Sequence, residues 1–305
     1  MSASAIFTSS IFSGVKLNLD QIVDDDTENA ESTLVCKKWL KTGTQEDYYE
    51  DDLEMGGPGL ASEVSEGQEI ETGAIREGFI TRYIARKFGL RLIVTDEAVE
   101  DNKYPEILKL AKRLSRALYK TLDIDCTNML IRAANAAYTG GDGVPLASAS
   151  HTLPSGGTWS NTFATPLAPS RIAVGAATSL MRKFPGHDGV TEGVEPKKIV
   201  HPTEQWMTWS GILNSTLAPE AGNFAEINAV KRDLDIEAVA VKYWNNTTTN
   251  WGITTSADNG LQMRWRRKPR KNSYVENDNE TMKYSITARW SRGWSDARGF
   301  FFSNA

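Results

Sequence analysis

The chain has 305 residues and a net charge of −5, with 40% hydrophobic and 24% charged residues. This composition is typical of a globular protein of one or two domains, and the acidic balance argues against a dedicated nucleic-acid-binding protein, which is normally basic. Two cysteines, Cys36 and Cys126, indicate a reducing compartment, and because neither a signal peptide nor a run of ~18 apolar residues is found, we expect a soluble cytosolic protein without a membrane span.

The first 33 residues predict a mobile N-terminal arm. Residues 1–33 are small and polar and then acidic at Asp24, Asp25 and Asp26. Segments of this composition often become ordered only on a partner. No charged heptad region precedes them, so a fused scaffolding segment is not expected.

Residues 34–95 predict a long two-stranded hairpin with an acidic tip. Eleven acids against one base lie in its middle, and the Gly-Gly-Pro-Gly run at 56–59 is a strong turn signal. Residues 34–39 and 79–94 are predicted as the flanking strands. Because an isolated two-stranded ribbon is marginally stable in water, we expect the hairpin to lie on a neighbouring subunit.

Residues 96–165 predict a long amphipathic helix followed by a glycine-rich connection. Apolar residues recur at three- and four-residue steps from Ile107 to Leu122, after Pro105 in the first turn, and the pattern extends towards Tyr138. About 30 helical residues measure ~45 Å, which suits the spine of an elongated subunit. The opposite face of the helix is basic and carries Lys109, Lys112, Arg113, Arg116 and Lys120.

The last two segments, 166–260 and 261–305, predict a mixture of short helices and strands. In the first, Ser170 is expected to cap a helix that ends at Phe184, and a second helix is expected to begin at Thr203. Alternation predicts strands at 197–200, 234–244, 261–267 and 282–290, the last two as a closing antiparallel pair.

The C-terminus is unusually rich in aromatic residues. Trp290, Trp294 and the phenylalanines Phe300, Phe301 and Phe302 lie where most chains are frayed and polar. So much apolar surface must be buried, either in the core of the subunit or against another subunit.

Catalytic and metal sites find little support in the sequence. His151, His187 and His201 have no second histidine or cysteine at metal-ligand spacing. His151 with Ser155 or Asp142 would allow a hydrolytic triad, but no G-x-S-x-G motif supports it. Neither G-x-G-x-x-G nor a phosphate-binding loop is found, so no cofactor is expected.

A basic run surrounds Trp265 and has two interpretations. Six cations in eight residues would bind phosphates in a salt-dependent way, or they would complement an acidic protein surface. The acid-rich hairpin favours the protein surface. The run consists of Arg264, Arg266, Arg267, Lys268, Arg270 and Lys271.

The C-terminal pattern RW-x-x-GW-x-D-x-RG-x-x-x-S, from Arg289 to Ser303, resembles the end of tailed-phage major capsid proteins of the Mu-type head-subunit group. Further motifs similar to that group are the Gly-Asp-Gly run at 141–143, His151-Thr-Leu, the Gly-Gly-Thr-x-x-Asn run at 156–161 and Pro196–Pro202. The resemblance covers about residue 30 to the end of the chain.

The resemblance implies an α+β fold of the Hong Kong 97 type. Its parts would be an N-terminal arm (1–33), an extended E-loop hairpin with flanking strands (34–95), a peripheral domain with the spine helix (96–165), an axial domain (166–260) and return strands of the peripheral domain (261–305). The implied function is that of a non-enzymatic subunit of an icosahedral phage head, which forms hexamers and pentamers around packaged double-stranded DNA.

The resemblance also implies partners and a location. A separate scaffolding protein, a portal and a decoration protein are the expected partners, together with non-specific proximity to DNA and no membrane. The subunit would be assembled in the host cytoplasm and end in the virion. No residue is assigned to a covalent crosslink. A tail-tube or sheath subunit and a hydrolase using His151 are the alternatives.

We expect the acidic hairpin to contact either the basic helix face or the basic run of a neighbouring subunit, and the aromatic terminus to support the peripheral sheet or a contact between capsomers. Reversal of Lys112 and Arg116 to Glu should then abolish particles. The hypothetical contact residues are Glu46, Asp47, Glu50, Asp51, Asp52, Glu54, Lys109, Lys112, Arg113, Arg116, Lys120, Arg264, Arg266, Arg267, Trp290, Trp294, Phe300 and Phe301.

Overall fold

The computed structural model describes residues 3–57, 59–70, 72–73, 77–95, 97–98, 101, 104–217, 227–234, 236–245, 247–276 and 281–304, with side chains from residue 16 onwards except that of Tyr104. The helices are α1 (Ala3–Ser32), α2 (Tyr104–Ile131), α3 (Arg171–Met181), α4 (Trp206–Asn214) and α5 (Ala229–Asp233). The strands are β1 (Lys41–Thr44), β2 (Tyr49–Met55), β3 (Glu77–Ile84), β4 (Arg86–Thr95), β5 (His151–Thr152), β6 (Thr158–Trp159), β7 (Pro196–Pro202), β8 (Glu237–Val241), β9 (Trp251–Thr255), β10 (Leu261–Glu276), β11 (Thr281–Trp294) and β12 (Phe300–Ser303).

The N-terminal segment is helical, so the prediction of a mobile arm is wrong for the described residues. Leu19, Val23, Asp26 and Ala30 recur at three- and four-residue steps and form the face of α1 that packs on α2. Arg116 of α2 donates to the Asp26 carboxylate from Nε at 2.9 Å and from Nη2 at 2.7 Å. Composition alone missed this periodic face.

The predicted spine helix is present as α2. Its apolar stripe is buried except at Leu110, which is exposed, and its 28 residues measure about 42 Å. The helix ends at Ile131 and does not continue to Tyr138. Residues 34–39 form a 3₁₀ turn (Cys36–Lys38) and no strand, because the Asp123 carboxylate on α2 accepts the backbone N–H of Cys36 at 2.9 Å.

The first sheet has the strand order β1-β10-β11-β4 and packs against α1 and α2. The predicted antiparallel closing pair is confirmed as β10 and β11, which are longer than alternation indicated. Two irregularities in β10, between Trp265 and Arg267 and between Arg267 and Arg270, interrupt the alternation that would have shown its full length. Strands β2 and β3 form a separate antiparallel hairpin.

The second sheet has the order β12-β9-β7-β8 and packs against α3, α4 and α5. Ser170 caps α3 as predicted, because its side chain accepts the N–H of Ala173. Strand β8 is shorter than the predicted 234–244. The second predicted helix begins at Trp206, after a 3₁₀ turn (Thr203–Gln205).

The C-terminal aromatic residues lie in the core of the subunit itself. Phe300 and Phe302 belong to the core cluster under the first sheet, whereas Phe301 belongs to the cluster under the second sheet. Trp290 is buried, and Trp294 is half-buried. Of the two predicted burial modes, the intramolecular one holds, so Trp290, Phe300 and Phe301 are withdrawn as contact residues between subunits. Strand β12 therefore joins the two cores.

Candidate assembly interface

The acids of strand β2 point towards the subunit's own arginines. Glu50, Asp52 and Glu54 alternate along the strand and so share one face. Arg264 contacts Glu50 at 3.1 Å and Asp52 at 2.8 Å, and Arg298 contacts Glu54 at 3.3 Å. These three acids and Arg264 were expected to pair between subunits, but in this structure they pair within one chain.

A buried polar network fixes the base of the hairpin. Ser295 Oγ donates to the Asp52 carboxylate at 2.5 Å, and the Tyr83 hydroxyl lies 2.8 Å from Ser295 Oγ. Gln262 Nε2 donates to the Tyr83 hydroxyl at 2.8 Å. Burial raises the pKa of Tyr83 to about 12, so the phenol stays neutral and keeps its proton for hydrogen bonding. The hairpin therefore leaves the first sheet in a defined direction.

The other face of the hairpin is apolar and exposed to solvent. The register places Tyr49 opposite Ile84 and Leu53 opposite Ile80, with Met55 beyond them. Met55 is 67% exposed and Ile80 is 60% exposed. We call this set of five residues the hairpin apolar face. Nothing in the described part of the same subunit covers it.

One ion pair lies in the middle of the hairpin apolar face. Asp51 is paired in register with Arg82, which donates to both carboxylate oxygens at 2.6 and 2.7 Å. The hydrogen bond from Arg82 holds the pKa of Asp51 below its usual value. The pair is exposed, so it adds orientation more than stability.

The loop that follows β2 combines acidic and apolar residues. Leu60, Val64 and Ile70 are exposed, and so are the acids Glu63, Glu66 and Glu69 between them. Glu46 and Asp47, ahead of β2, are also exposed. The remaining acidic charge of the hairpin thus lies at its loop and at its entry, away from the acids that pair with arginine.

The basic run predicted around Trp265 is divided between surfaces. Arg264 faces the hairpin, Lys271 pairs with Asp24 of α1 at 2.6 Å, and Arg266 is half-buried beside an irregularity of β10. Arg267 and Arg270 face away from the helices, because they are in register with Arg289 and Thr287 on the uncovered side of β11.

That uncovered side of the first sheet is strongly basic. The register aligns Arg289 with Lys87, and it aligns Lys283 with Ile93 and Tyr274. Ile93 and Tyr274 are exposed, and Lys283 pairs with Glu276. We call this surface the outer sheet face. Its members are Lys87, Arg91, Ile93, Arg267, Arg270, Tyr274, Lys283 and Arg289.

The predicted basic face of α2 is partly engaged within the subunit. Arg116 pairs with Asp26 of α1, as described above, and Lys120 lies over the ring of Tyr243 at 5.7 Å. Lys109, Lys112 and Arg113 are exposed. All five cations of this face are exposed, but Arg116 and Lys120 already have partners within the subunit.

His151 has a structural environment. Its Nδ1 contacts Asp142 at 2.6 Å, and its Nε2 lies 3.2 Å from Asn161 Oδ1. Asn161 Nδ2 in turn donates to the backbone carbonyls of Leu146 at 2.6 Å and Phe300 at 3.0 Å. The ring nitrogens thus contact Asp142 and Asn161, and neither contacts the Ser155 hydroxyl that the hydrolase alternative would use as its nucleophile.

The loop motifs noted in the sequence therefore tie the segment after α2 to the C-terminal strand. Among the described residues, no group of three or more His, Cys, Asp or Glu side chains is arranged to hold a metal ion. None of the helices in the described residues is both long enough and apolar enough to cross a membrane.

Comparison with protein families identifies the chain. The family described as "Phage capsid protein" matches residues 79–302, nearly three quarters of the sequence. The chain belongs to this family. It is a structural subunit of a phage head shell and is found in the virion capsid. No curated protein sequence matches it.

Solved structures show the same fold at low sequence identity. The structure titled "Mycobacterium phage Adephagia" matches with a TM-score of 0.55 at 11% identity, over 88% of this chain and 89% of that one. The capsid of cyanophage P-SCSP1u gives 0.55 at 12% identity, over 87% and 85%. The procapsid of bacteriophage JBD30 gives 0.53 at 14% identity, over 100% and 76%. The mixed α+β fold is thus that of phage capsid structures.

Proposed function

We propose that this capsid subunit has the domain organisation of the Hong Kong 97 type and is most similar to the Mu-type group. In this proposal the β2–β3 hairpin is the E-loop, the first sheet with α2 is the peripheral domain, and the second sheet with α3 to α5 is the axial domain. The order of these elements along the chain and the C-terminal motif support the assignment. Helix α1 (Ala3–Ser32) then belongs to the peripheral domain.

The observation that carries the proposal is the hairpin apolar face. An exposed sheet surface of five large apolar side chains is costly unless a partner covers it. Burial of one such side chain contributes on the order of 1.5–3 kcal/mol, whereas an exposed ion pair contributes about 0.2–1 kcal/mol. Apolar contact would therefore supply most of the assembly energy, and charge would select the partner surface.

The outer sheet face of a neighbouring copy is the partner surface that fits best. It offers Ile93 and Tyr274 to apolar side chains, and its arginines complement the loop acids Glu63, Glu66 and Glu69. The basic face of α2 is the second candidate, but Arg116 is already paired with Asp26. In a closed ring, each copy would give its hairpin to one neighbour and receive a hairpin from the other.

The remaining parts of the proposal concern the shell as a whole. Rings of six and five copies would form the icosahedral head in the host cytoplasm, around double-stranded DNA held without sequence recognition. A separate scaffold, a portal and a decoration protein would be its partners. The subunit would carry out no chemical reaction.

Electron microscopy of particles formed by hairpin variants tests the proposal. Replacement of Leu53 and Ile80 by Glu places two charges on the hairpin apolar face without touching the core. We expect a folded subunit with near wild-type thermal stability that no longer forms particles. Leu17→Glu, at an exposed position on α1, is the matched control and should form normal particles. Normal particles from the Leu53/Ile80 variant would refute the proposed contact.

A further inference from the structure

Arg298 lies at a junction of three chain segments. It belongs to the 3₁₀ turn (Ala297–Gly299) that precedes β12, and it is 8% exposed. Its guanidinium contacts Asp296 at 2.9 Å, Glu192 at 2.8 Å and Glu54 at 3.3 Å. The hairpin, the loop after α3 and the C-terminal turn therefore meet at one buried cation.

His187 reinforces this junction from the loop after α3. Its Nε2 lies 2.5 Å from the Glu54 carboxylate, and the Arg298 guanidinium is 3.1 Å from the same ring. Burial opposes the charge on Arg298, but the carboxylates of Asp296, Glu54 and Glu192 outweigh burial and raise its pKa. Arg298 is therefore a permanent cation held among three carboxylates.

The turn that carries Arg298 is fixed to the second sheet. Thr255 of β9 donates its hydroxyl to the backbone carbonyl of Arg298 at 2.6 Å. The turn leads directly into β12, whose register with β9 runs from Phe300 opposite Thr254 to Ser303 opposite Trp251. A displacement of the second sheet therefore moves Arg298.

The same strand of the hairpin is held at its other end by the first sheet. Arg264 is on β10 and binds Glu50 and Asp52, whereas Arg298 binds Glu54. Strand β2 thus spans two arginines that belong to different sheets. Buried, fork-shaped arginine contacts of this kind fix direction more strictly than exposed lysine contacts.

We propose that Arg298 is a positioning residue that couples the direction of the hairpin to the orientation of the second sheet relative to the first. Strand β2 contacts arginines that belong to both sheets. When the sheets tilt relative to each other, these contacts therefore rotate the hairpin. The hairpin surface that docks on a neighbour then follows the local curvature of the shell. This coupling is a property of the single subunit. Only its effect on particles rests on the proposed docking function.

Hydrogen exchange measured on the unassembled subunit tests the coupling. Glu54→Gln keeps the shape of the side chain and removes the charge that Arg298 and His187 hold. We expect peptides from β2 and β3 to exchange roughly tenfold faster in this variant, because local opening loses charge-assisted hydrogen bonds, while β10 and β11 exchange as in the wild type. Arg298→Lys, which keeps the charge and loses the fork, should give the same direction of change.

Arg182→Gln is the matched control. Arg182 makes a bidentate contact with Glu195, at 2.9 and 2.9 Å, but this pair is exposed and does not contact the hairpin. Its loss should leave hairpin exchange unchanged. Wild-type exchange of β2 and β3 in Glu54→Gln would overturn the proposal.

Particles from Glu54→Gln provide the second readout. We expect them to form with a broader range of diameters than wild-type particles. A loosened hairpin in particles as uniform as the wild type would contradict the coupling. A failure of the docking function gives a different result, which is normal particles from the Leu53/Ile80 variant, whatever the hairpin exchange of Glu54→Gln shows.

Discussion

The C-terminal strand and the β2–β3 hairpin differ in how they use apolar residues. Phe300 and Phe301 are fully buried and fill the two cores of their own subunit, whereas Met55 and Ile80 of the hairpin are mostly exposed. Sequence composition suggests the opposite distribution, because the terminus is rich in apolar residues and the hairpin is rich in acids. The difference shows that the density of apolar residues does not reveal which surface a subunit leaves for its neighbours. The partners of the charged side chains within the subunit show which surface is left exposed.

In the hairpin, charge and hydrophobicity are separated onto two faces. Glu50, Asp52 and Glu54 turn inwards to arginines, so Leu53 and Met55 turn outwards to solvent. In the C-terminal segment the same separation is absent, because Phe300, Phe301 and Phe302 meet apolar neighbours on both sides of β12. In the proposed assembly the hairpin therefore serves contact between subunits, whereas the terminus serves the folding of one subunit.

The largest expected effect lies at the C-terminus. Phe301→Ala removes a fully buried ring from the second core and should lower the free energy of unfolding by about 3–5 kcal/mol. Truncation after Ser291, which removes β12 and the end of β11, should leave insoluble chain. Chemical denaturation and soluble expression measure these effects.

Tyr274→Ala is the contrasting change. This tyrosine lies exposed on the outer sheet face, so its loss should change stability little and reduce particle yield. Equal losses of stability from Phe301→Ala and Tyr274→Ala would break the contrast between folding and assembly surfaces.

The next effect distinguishes the two candidate surfaces that receive the hairpin. Arg91→Glu with Arg270→Glu reverses charge on the outer sheet face and should abolish particles while the subunit stays folded. Lys109→Glu with Lys112→Glu reverses charge on the helix face and should leave particles intact. Negative-stain images and circular dichroism measure both outcomes. The opposite result would return the contact to α2.

Reversal of Lys112 and Arg116 together is a less clean test than the sequence indicates. Arg116 holds Asp26 of α1, so that double variant also disturbs a contact within the subunit. A loss of particles would then have two causes, whereas the Lys109 and Lys112 pair has one.

The smallest effect concerns acid. Burial lowers the pKa of His201 from 6.5, so the folded state resists the proton that the unfolded state accepts. Stability should be full above pH 6.5 and should fall as the pH drops below that value. Thermal melts of the wild type and His201→Gln should show a shallower pH dependence in the variant, and identical slopes would contradict the assignment.

The hairpin should respond to acid later than the second core. The pKa of Asp51 is lowered from 3.8 by its hydrogen bond with Arg82, so that pair contributes above the unfolded value and is lost only as the pH falls through the lower folded value. Hydrogen exchange at pH 5 should therefore show a weakened second sheet beside an intact hairpin. If the second sheet and the hairpin loosen at the same pH, His201 and Asp51 are not the separate groups that control them.

Much of the fold could be predicted from the sequence where one periodicity dominates. The spacing from Ile107 to Leu122 predicts α2, and the alternation from Met282 to Trp290 predicts β11, because each element buries one continuous apolar face. The helix α1 was missed because its fully buried apolar positions from residue 16 onwards, Leu19 and Val23, are few among polar neighbours. The 3₁₀ turn at Cys36 depends on Asp123, 87 positions away, which no local pattern reports.

The hairpin was predicted from the sequence, and its contact with a neighbouring subunit stays a prediction. The count of acids in the hairpin indicated a charged contact, and it obscured the alternation in Tyr49–Met55 that separates acids from apolar residues. That alternation was readable from the sequence. The role of Arg298 was not, because its partners Glu54 and Glu192 are 244 and 106 positions away.

Photo-crosslinking from the hairpin in assembled particles tests the central claim most directly. A photoreactive amino acid in place of Leu53 points out of the hairpin apolar face. If this face docks on a neighbour, irradiation should give covalent dimers, and mass spectrometry should place the link in β4 or in β10 near Tyr274 of the second copy. Monomers linked only within one chain, or dimers linked through α2, would contradict the account.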